Sequence, residues 1–271
     1  MPELPEVETT RRGIKPFIIG PVINRVDIRQ AQLRWPIPEI LKRCLPGQRF
    51  SSIDRRGKYI LMHTKVGSVI SHLGMSGSLR IVNIETQPRK HDHFDIVFEN
   101  NQCLRFHDPR RFGCMLWTTA SAFKHPLIKN LGIEPMSSEF DGHYLYRQAT
   151  GRSIAIKNLL MDSRIVVGIG NIYANEALFR AGINPKRAAG RIAKTRLEIL
   201  AKAATEILSD AISQGGTTLR DFVNEAGRPG YFQQTLNVYG RRGEPCPKCT
   251  APLRYDRVGQ RSTFYCRRCQ T

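Results

Sequence analysis

The sequence predicts an α+β protein in three parts: an N-terminal helix followed by a β-sandwich domain, an all-helical domain, and a C-terminal hairpin held by paired cysteines. Three observations predict it. Short β-rich runs separated by turn signals fill positions 22–119, helical periodicity replaces them after Lys124, and the tail beyond Gly243 carries two Cys-x-x-Cys pairs. With 271 residues the chain can bury two cores and still carry a small appendage. The expected boundaries are 1–125, 126–240 and 241–271.

The first element is a helix, because Val7, Arg11 and Ile14 fall on one face and acids occupy its first turn. Strands are expected at 22–29, 49–54, 59–64, 68–73, 79–82, 94–99, 103–107 and 114–118, with turns such as Gly67-Ser68 and Asn100-Asn101 between them. That pattern fits a sandwich or a barrel. Helices are expected at 140–150, 156–162, 172–181 and 189–213. In the last of these Ile192, Ile199, Ala203, Ile207 and Ile212 mark the buried stripe, and Gly215-Gly216 the stop. Residues 217–239, polar and glycine-containing around Asn224, are expected to form a loop or linker.

Lysine and arginine number 42 against 23 acidic residues, a net charge of +19. Such an excess implies a polyanionic partner. The cations are spread along the chain, and no run of about 18 apolar residues occurs, so nucleic acid is the expected partner and a membrane is not. A soluble cytoplasmic protein is expected. Of the seven cysteines, Cys44, Cys103 and Cys114 lie in apolar surroundings as reduced thiols, with no sign of a disulfide framework.

The opening Met1-Pro2-Glu3-Leu4-Pro5-Glu6 carries chemistry of its own. Removal of Met1 would free a secondary amine at Pro2 beside the Glu3 carboxylate. Such an amine can displace a base from a sugar C1′, and the resulting iminium acidifies the neighbouring hydrogen so that elimination cuts the strand. An α-amino group titrates at roughly 7.7–8, and a helix start disfavours its protonated form, which leaves a neutral fraction near pH 7. The same hexapeptide is also an acceptable plain helix start.

Cys246, Cys249, Cys266 and Cys269 are spaced as two knuckles that would close around one Zn²⁺. Four sulfurs leave no open coordination position, so the ion is expected to fold the tail and to do no chemistry. The alternation between the knuckles predicts a hairpin whose basic tip carries Arg257 and Arg261, as phosphate contacts or as solvated turn residues. Gly168-Ile169-Gly170 precedes a helix that Asn171 could cap, with Arg152 and Lys157 nearby, a helix-turn-helix-like unit whose helix start could hold phosphate. The Arg55-Arg56-Gly57-Lys58 turn could aim Lys58 at a phosphate. Met75 in a glycine-flanked turn, and Arg110 and Phe112 in the 107–113 loop, are side chains able to wedge into a base stack. Taken singly, each is equally a core or surface residue.

Taken together, Pro2-Glu3-Leu4-Pro5-Glu6-Val7-Glu8, Gly57-Lys58-Tyr59, Met75-Ser76-Gly77, Asp108-Pro109-Arg110-Arg111-Phe112-Gly113, the 168–176 segment and the cysteine pairs closely resemble the formamidopyrimidine-DNA glycosylase family over the whole chain. The resemblance implies a helix–two-turn–helix middle domain and a zinc-ribbon hairpin. It implies a base-excision repair enzyme that removes oxidised purines, 8-oxoguanine and formamidopyrimidines, from duplex DNA and cleaves the abasic site by β,δ-elimination. It further implies Pro2 as nucleophile, Glu3 as acid/base, Lys58 and Arg261 as proton donors in the two eliminations, and His91, Arg110, Arg152, Lys157 and Asn171 as DNA contacts. Met75, Arg110 and Phe112 would fill the void left by the everted base, over which the 217–234 segment would close. One structural zinc ion, double-stranded DNA as partner, a monomeric state and a bacterial, nucleoid-associated setting complete the expectation. Asn158 departs from the family by standing where many relatives carry proline. The rivals are the endonuclease VIII type, which prefers oxidised pyrimidines, and a zinc-ribbon protein that binds DNA without cutting it.

Overall fold

The computed structural model describes residues 2–215 and 236–271. The loop expected at 217–234 lies outside the described residues. Helix α1 (Leu4–Ile18) opens the chain, and Glu6 accepts the Glu3 backbone N–H at 2.7 Å as one side of a capping box. Its apolar face, including Val7, Ile14 and Ile18, is buried in the core.

Eight strands follow: β1 (Ile23–Ile28), β2 (Ser52–Arg56), β3 (Tyr59–His63), β4 (Ser68–His72), β5 (Ser78–Asn83), β6 (Asp92–Phe98), β7 (Gln102–His107) and β8 (Cys114–Thr118). The single-turn helix α2 (Leu41–Cys44) lies between the first two strands. They form two four-stranded antiparallel sheets, ordered β1-β6-β7-β5 and β2-β3-β4-β8. The sandwich is therefore the form adopted. Phe94, Ile96 and Phe98 of one sheet share a core with Ile53, Ile60, Met62 and Val69 of the other.

Strand β6 is buried on both faces, which its alternating pattern does not announce. The face away from the core is covered by ions. Asp95 accepts from Arg29 at 2.7 Å and Arg105 at 2.8 Å, and Asp92 accepts from His107 Nδ1 and the Arg89 N–H, both at 2.8 Å, and from Arg80 at 2.5 Å. Burial alone would raise the Asp92 carboxyl, but the His107 and Arg89 hydrogen bonds and the Arg80 charge hold it well below the usual carboxylate range. A buried ion cluster is tolerable only when each charge is met in this way. The cluster ties the start of β6, next to His91, to β5 and β7 through Arg80 and His107.

A second compact unit begins at Asn130. It contains α3 (Gly142–Ala149), α4 (Ile156–Leu160), α5 (Asn171–Arg180) and much of α6 (Lys194–Gly215), around a core that includes Leu145, Leu159, Tyr173 and Leu178. Of the expected stripe of the last helix, Ile192, Ala203, Ile207 and Ile212 are buried and one position is corrected. Ile199 is 55 % exposed, while Leu197, Leu200, Ala201, Ala204, Leu208 and Ala211 are buried. Within α6 the buried face runs through Leu197, Leu200, Ala201, Ala204 and Leu208 at spacings of three and four, and Ile199 lies off it; residues 189–191 form a separate 3-10 turn before the helix begins at Lys194. The tail forms β9 (Arg254–Val258) and β10 (Arg261–Tyr265), antiparallel about a Gly259-Gln260 turn with both φ values near +60°. Its own core is small, Val238, Leu253 and Phe264 with Phe179 and the buried Cys246 and Cys266. Among the described residues no helix is long and apolar enough to cross a membrane.

Candidate active site

Pro2 and Glu3 lie immediately ahead of α1 and both are buried, Glu3 to 2 % exposure. The Glu3 side chain accepts the Glu6 backbone N–H as the other side of the capping box, which fixes its carboxylate at the helix start. Lys58 sits in the two-residue Gly57-Lys58 turn closed by the Arg56–Tyr59 pair of β2 and β3. An ionic network ties that turn to α1. Glu8 accepts from Arg11 and Arg12, both at 2.7 Å, and from Arg55 at 3.2 Å, and Arg55 Nη1 donates to Gly57 O at 3.1 Å.

Burial pushes the Glu8 carboxyl up, and the hydrogen bonds from Arg11 and Arg12 more than reverse it, down to about 2 from the ordinary 4.5. The unfolded chain therefore binds more protons than the folded chain between those values, and the Glu8 contribution is complete above about pH 4.5 and lost as pH falls toward 2. A Glu8→Gln variant is expected to lose on the order of 3 kcal/mol at pH 7 and to show a flatter acid limb. Urea titrations from pH 3 to pH 7 measure both.

His72 ends β4. Burial, with the charges of Lys58 and Arg34, drives it down to about 4, so the ring is neutral at pH 7 and its Nδ1 accepts the Gly74 N–H at 2.9 Å. Gly74 has φ +65°, and a Cβ there would lie 2.5 Å from the Phe112 carbonyl carbon; the Met75 turn and the Phe112 loop thus meet backbone to backbone. Asp108 joins the two loops from beneath. Fully buried, it accepts from Ser76 Oγ and the Gly113 N–H at 2.8 Å each and from the Arg110 N–H at 3.3 Å. Its own N–H donates to His91 O at 3.0 Å, and His93 Nε2 lies 2.8 Å from its carbonyl.

Met75, His91, Arg110 and Phe112 consequently share one stiff base. The Arg110 guanidinium lies 4.8 Å over the Phe112 ring, which is 44 % exposed, while Met75 is half-buried. A cation stacked on an exposed ring is a unit able to enter a base stack. Asp108→Ala strands these three donors. It is expected to cost about 2–4 kcal/mol of stability and to weaken binding of a duplex with an abasic analogue by roughly tenfold, read by calorimetry and fluorescence anisotropy.

In the second unit the four cysteine sulfurs lie within 4.8 Å of one another, Cys246 to Cys269 at 3.9 Å and Cys249 to Cys266 at 3.5 Å. A tetrahedral ZnS₄ site with Zn–S of about 2.3 Å places its sulfurs about 3.8 Å apart, so the donor set fits that ion. Arg152 is exposed in the loop between α3 and α4, and the Arg261 side chain is exposed on the hairpin. Lys157, expected as a DNA contact, is fully buried, with its Nζ donating to Ser262 O at 2.7 Å and Thr263 Oγ1 at 2.8 Å. Asn171 does not cap α5. Gly170 takes the extended cap conformation, and Asn171 is the first helical residue, its Nδ2 drawn to Ser262 O at 3.0 Å.

Residues 1–115 match the family model of the formamidopyrimidine-DNA glycosylase N-terminal domain, residues 131–223 that of the formamidopyrimidine-DNA glycosylase H2TH domain, and residues 243–271 that of a zinc finger found in FPG and IleRS. The chain belongs to the formamidopyrimidine-DNA glycosylase family. Relatives of that name from Methylococcus capsulatus and Syntrophotalea carbinolica are 58 % and 54 % identical over 270 residues, covering 100 % of each chain. The structure of the Thermus thermophilus protein superposes with a TM-score of 0.85 at 36 % identity, covering 99 % of this chain and 98 % of that one. The Lactococcus lactis protein in complex with abasic-site DNA gives a TM-score of 0.90 at 32 % identity over 99 % of both chains. In complex with DNA containing N7-benzyl-Fapy-dG, it gives 0.90 at 33 % over 100 % of both.

For this member of the glycosylase family, sequence reasoning selects the side chains at the loop tips and misses the groups that hold them. Asp108 heads an Asp-Pro turn, a signal strong enough to have found it. Glu8, His72 and Asn175 carry no such signal. Only part of each role is local: Glu8 adds Arg55 to its near neighbours Arg11 and Arg12, His72 meets the nearby Gly74 N–H, and Asn175 accepts the Phe264 N–H at 2.8 Å from far along the chain.

Proposed function

We propose that this chain excises oxidised purines from duplex DNA and cleaves the strand at the resulting abasic site. The observation that carries the reading is the full-length match to formamidopyrimidine-DNA glycosylases combined with a buried Pro2-Glu3 pair at a capped helix start. Everting the damaged base costs a few kcal/mol, less for a lesion than for a paired base. Met75, Arg110 and Phe112 fill the gap, and His91 and Arg152 meet phosphates. The Pro2 nitrogen bonds to C1′ as the glycosidic bond breaks, and the departing base takes the bonding pair and a proton managed by Glu3. The Pro2 nitrogen gives up its proton and the C1′–O4′ bond opens with O4′ protonated, which leaves the iminium. This acidifies C2′, a base takes the C2′ proton, and the C3′–O bond breaks with its pair going to the departing phosphate; Lys58 supplies a proton in this first elimination and Arg261 in the second, which leaves phosphate at both ends of the gap. A single zinc ion held by Cys246, Cys249, Cys266 and Cys269 would serve as a structural cross-link. The chain acts as a monomer, divided near positions 125 and 240.

The test uses duplexes that each carry one 8-oxoguanine, one formamidopyrimidine or one oxidised pyrimidine. Faster nicking of the two purine lesions supports the proposal. Preference for the pyrimidine, or binding without any nicking, overturns it.

A further inference from the structure

The hairpin that carries Arg261 is two strands of five residues each, and a two-stranded ribbon alone is marginal in water. Its pose therefore depends on what it rests against, and within its own unit that seat is built from α4 and α5. Lys157 is the unusual component. A lysine with no exposed surface has its ammonium withdrawn from water, and two of its hydrogen bonds fall on one short stretch of β10: the Ser262 carbonyl at 2.7 Å and the Thr263 hydroxyl at 2.8 Å. The Thr263 hydroxyl passes the contact on, donating to the Arg261 carbonyl at 3.0 Å. Asn171 adds a second donor to Ser262 O.

The turn is seated as well. Gly259 has φ +56°, and a Cβ on it would lie 2.6 Å from Asn158 Oδ1, so the side chain of Asn158 closes against the turn where only glycine leaves room. Asn158 also donates its backbone N–H to Ala155 O at 2.9 Å, a bond that a proline at this position could not make.

We propose that Lys157 is a positioning residue for the second elimination: through Ser262 and Thr263 it fixes the backbone at Arg261 and so the direction in which that guanidinium is presented. This rests on the assignment of Arg261 to that step. A displacement of about 1 Å in a proton-transfer geometry costs about 100-fold in rate. The first elimination, carried out by groups of the other unit, does not pass through this clamp.

The experiment follows product ends on abasic duplex with the full-length, zinc-loaded protein. Lys157→Met is expected to lower the ratio of 3′-phosphate to 3′-unsaturated-aldehyde ends at least tenfold, about the effect of Arg261→Gln, with no further fall in the double variant. Thr263→Val removes the relay to Arg261 and the hydroxyl acceptor of Lys157 while leaving the Ser262 contact, and is expected to shift the ratio the same way by a smaller factor, with Schiff-base trapping within twofold of the parent. Zinc content equal to the parent shows that each variant keeps its hairpin, and if Lys157→Met loses zinc, Thr263→Val decides. An unchanged ratio in the zinc-loaded variants, or a double variant tenfold worse than Arg261→Gln, overturns the proposal. An unchanged ratio in Arg261→Gln alone overturns the assignment beneath it, and that result is separable because the single variants are read side by side.

Discussion

A chain whose N-terminal Met1 or an uncleaved tag remains attached to Pro2 is expected to lose strand cleavage by at least about 1,000-fold while binding lesion duplex within about threefold of the parent. The reason is electronic. Acylation turns the Pro2 nitrogen into an amide whose lone pair is delocalised, and no other group of the site replaces it. Binding is spared because the loops carrying Met75, Arg110 and Phe112 are fixed from behind by Asp108 and His72, independently of the terminus. Pro2→Gly is the milder case. A primary amine still condenses with an aldehyde, but its imine must be protonated before it withdraws electrons, so strand cleavage is expected to fall by about 100-fold. Single-turnover nicking and anisotropy with the same duplex separate the two quantities.

Removing the metal should have the second large effect. The core shared by Phe179, Val238, Leu253 and Phe264 is too small to hold residues 243–271 folded, and a structural ZnS₄ site contributes on the order of 10 kcal/mol to a module of this kind. Chelation, or Cys249→Ser, is expected to unfold the hairpin and expose the Lys157 ammonium. The α1 and β-sandwich unit keeps its own core. The observable is a loss of amide protection in Arg254–Tyr265 without loss in β3, β4, β6 and β7, together with a fall in DNA affinity of at least tenfold, because the unfolded tail no longer presents its arginines. Protection that survives metal removal would show that side-chain packing alone holds the tail.

How far the sequence could be read depends on the range of the forces concerned. The eight strands were legible because each is a local apolar run bounded by turn residues, and the expected segments overlap all eight observed ones. The four cysteines were legible because metal geometry fixes spacing. The sheet pairing was not, since β1 pairs with β6 and β4 with β8 across long stretches of chain. Ile199 shows the limit of periodicity: it keeps helical spacing to the buried Ala203 and Ile207 yet lies off the face that α6 buries through Leu197, Leu200, Ala204 and Leu208. Among the site residues, motif position located Lys58, Arg110 and Phe112 at turns. It did not reveal that Lys157 points inward, because its partners Ser262 and Thr263 lie more than 100 residues away.

The most direct measurement is to reduce the reaction of the chain with abasic duplex by borohydride, digest the cross-linked product, and sequence the peptide that carries the sugar. The deoxyribose remnant is expected on the nitrogen of Pro2, in a peptide that begins at that residue. A remnant on Lys58 or any other lysine, or efficient nicking that leaves no trapped product at all, would contradict the mechanism.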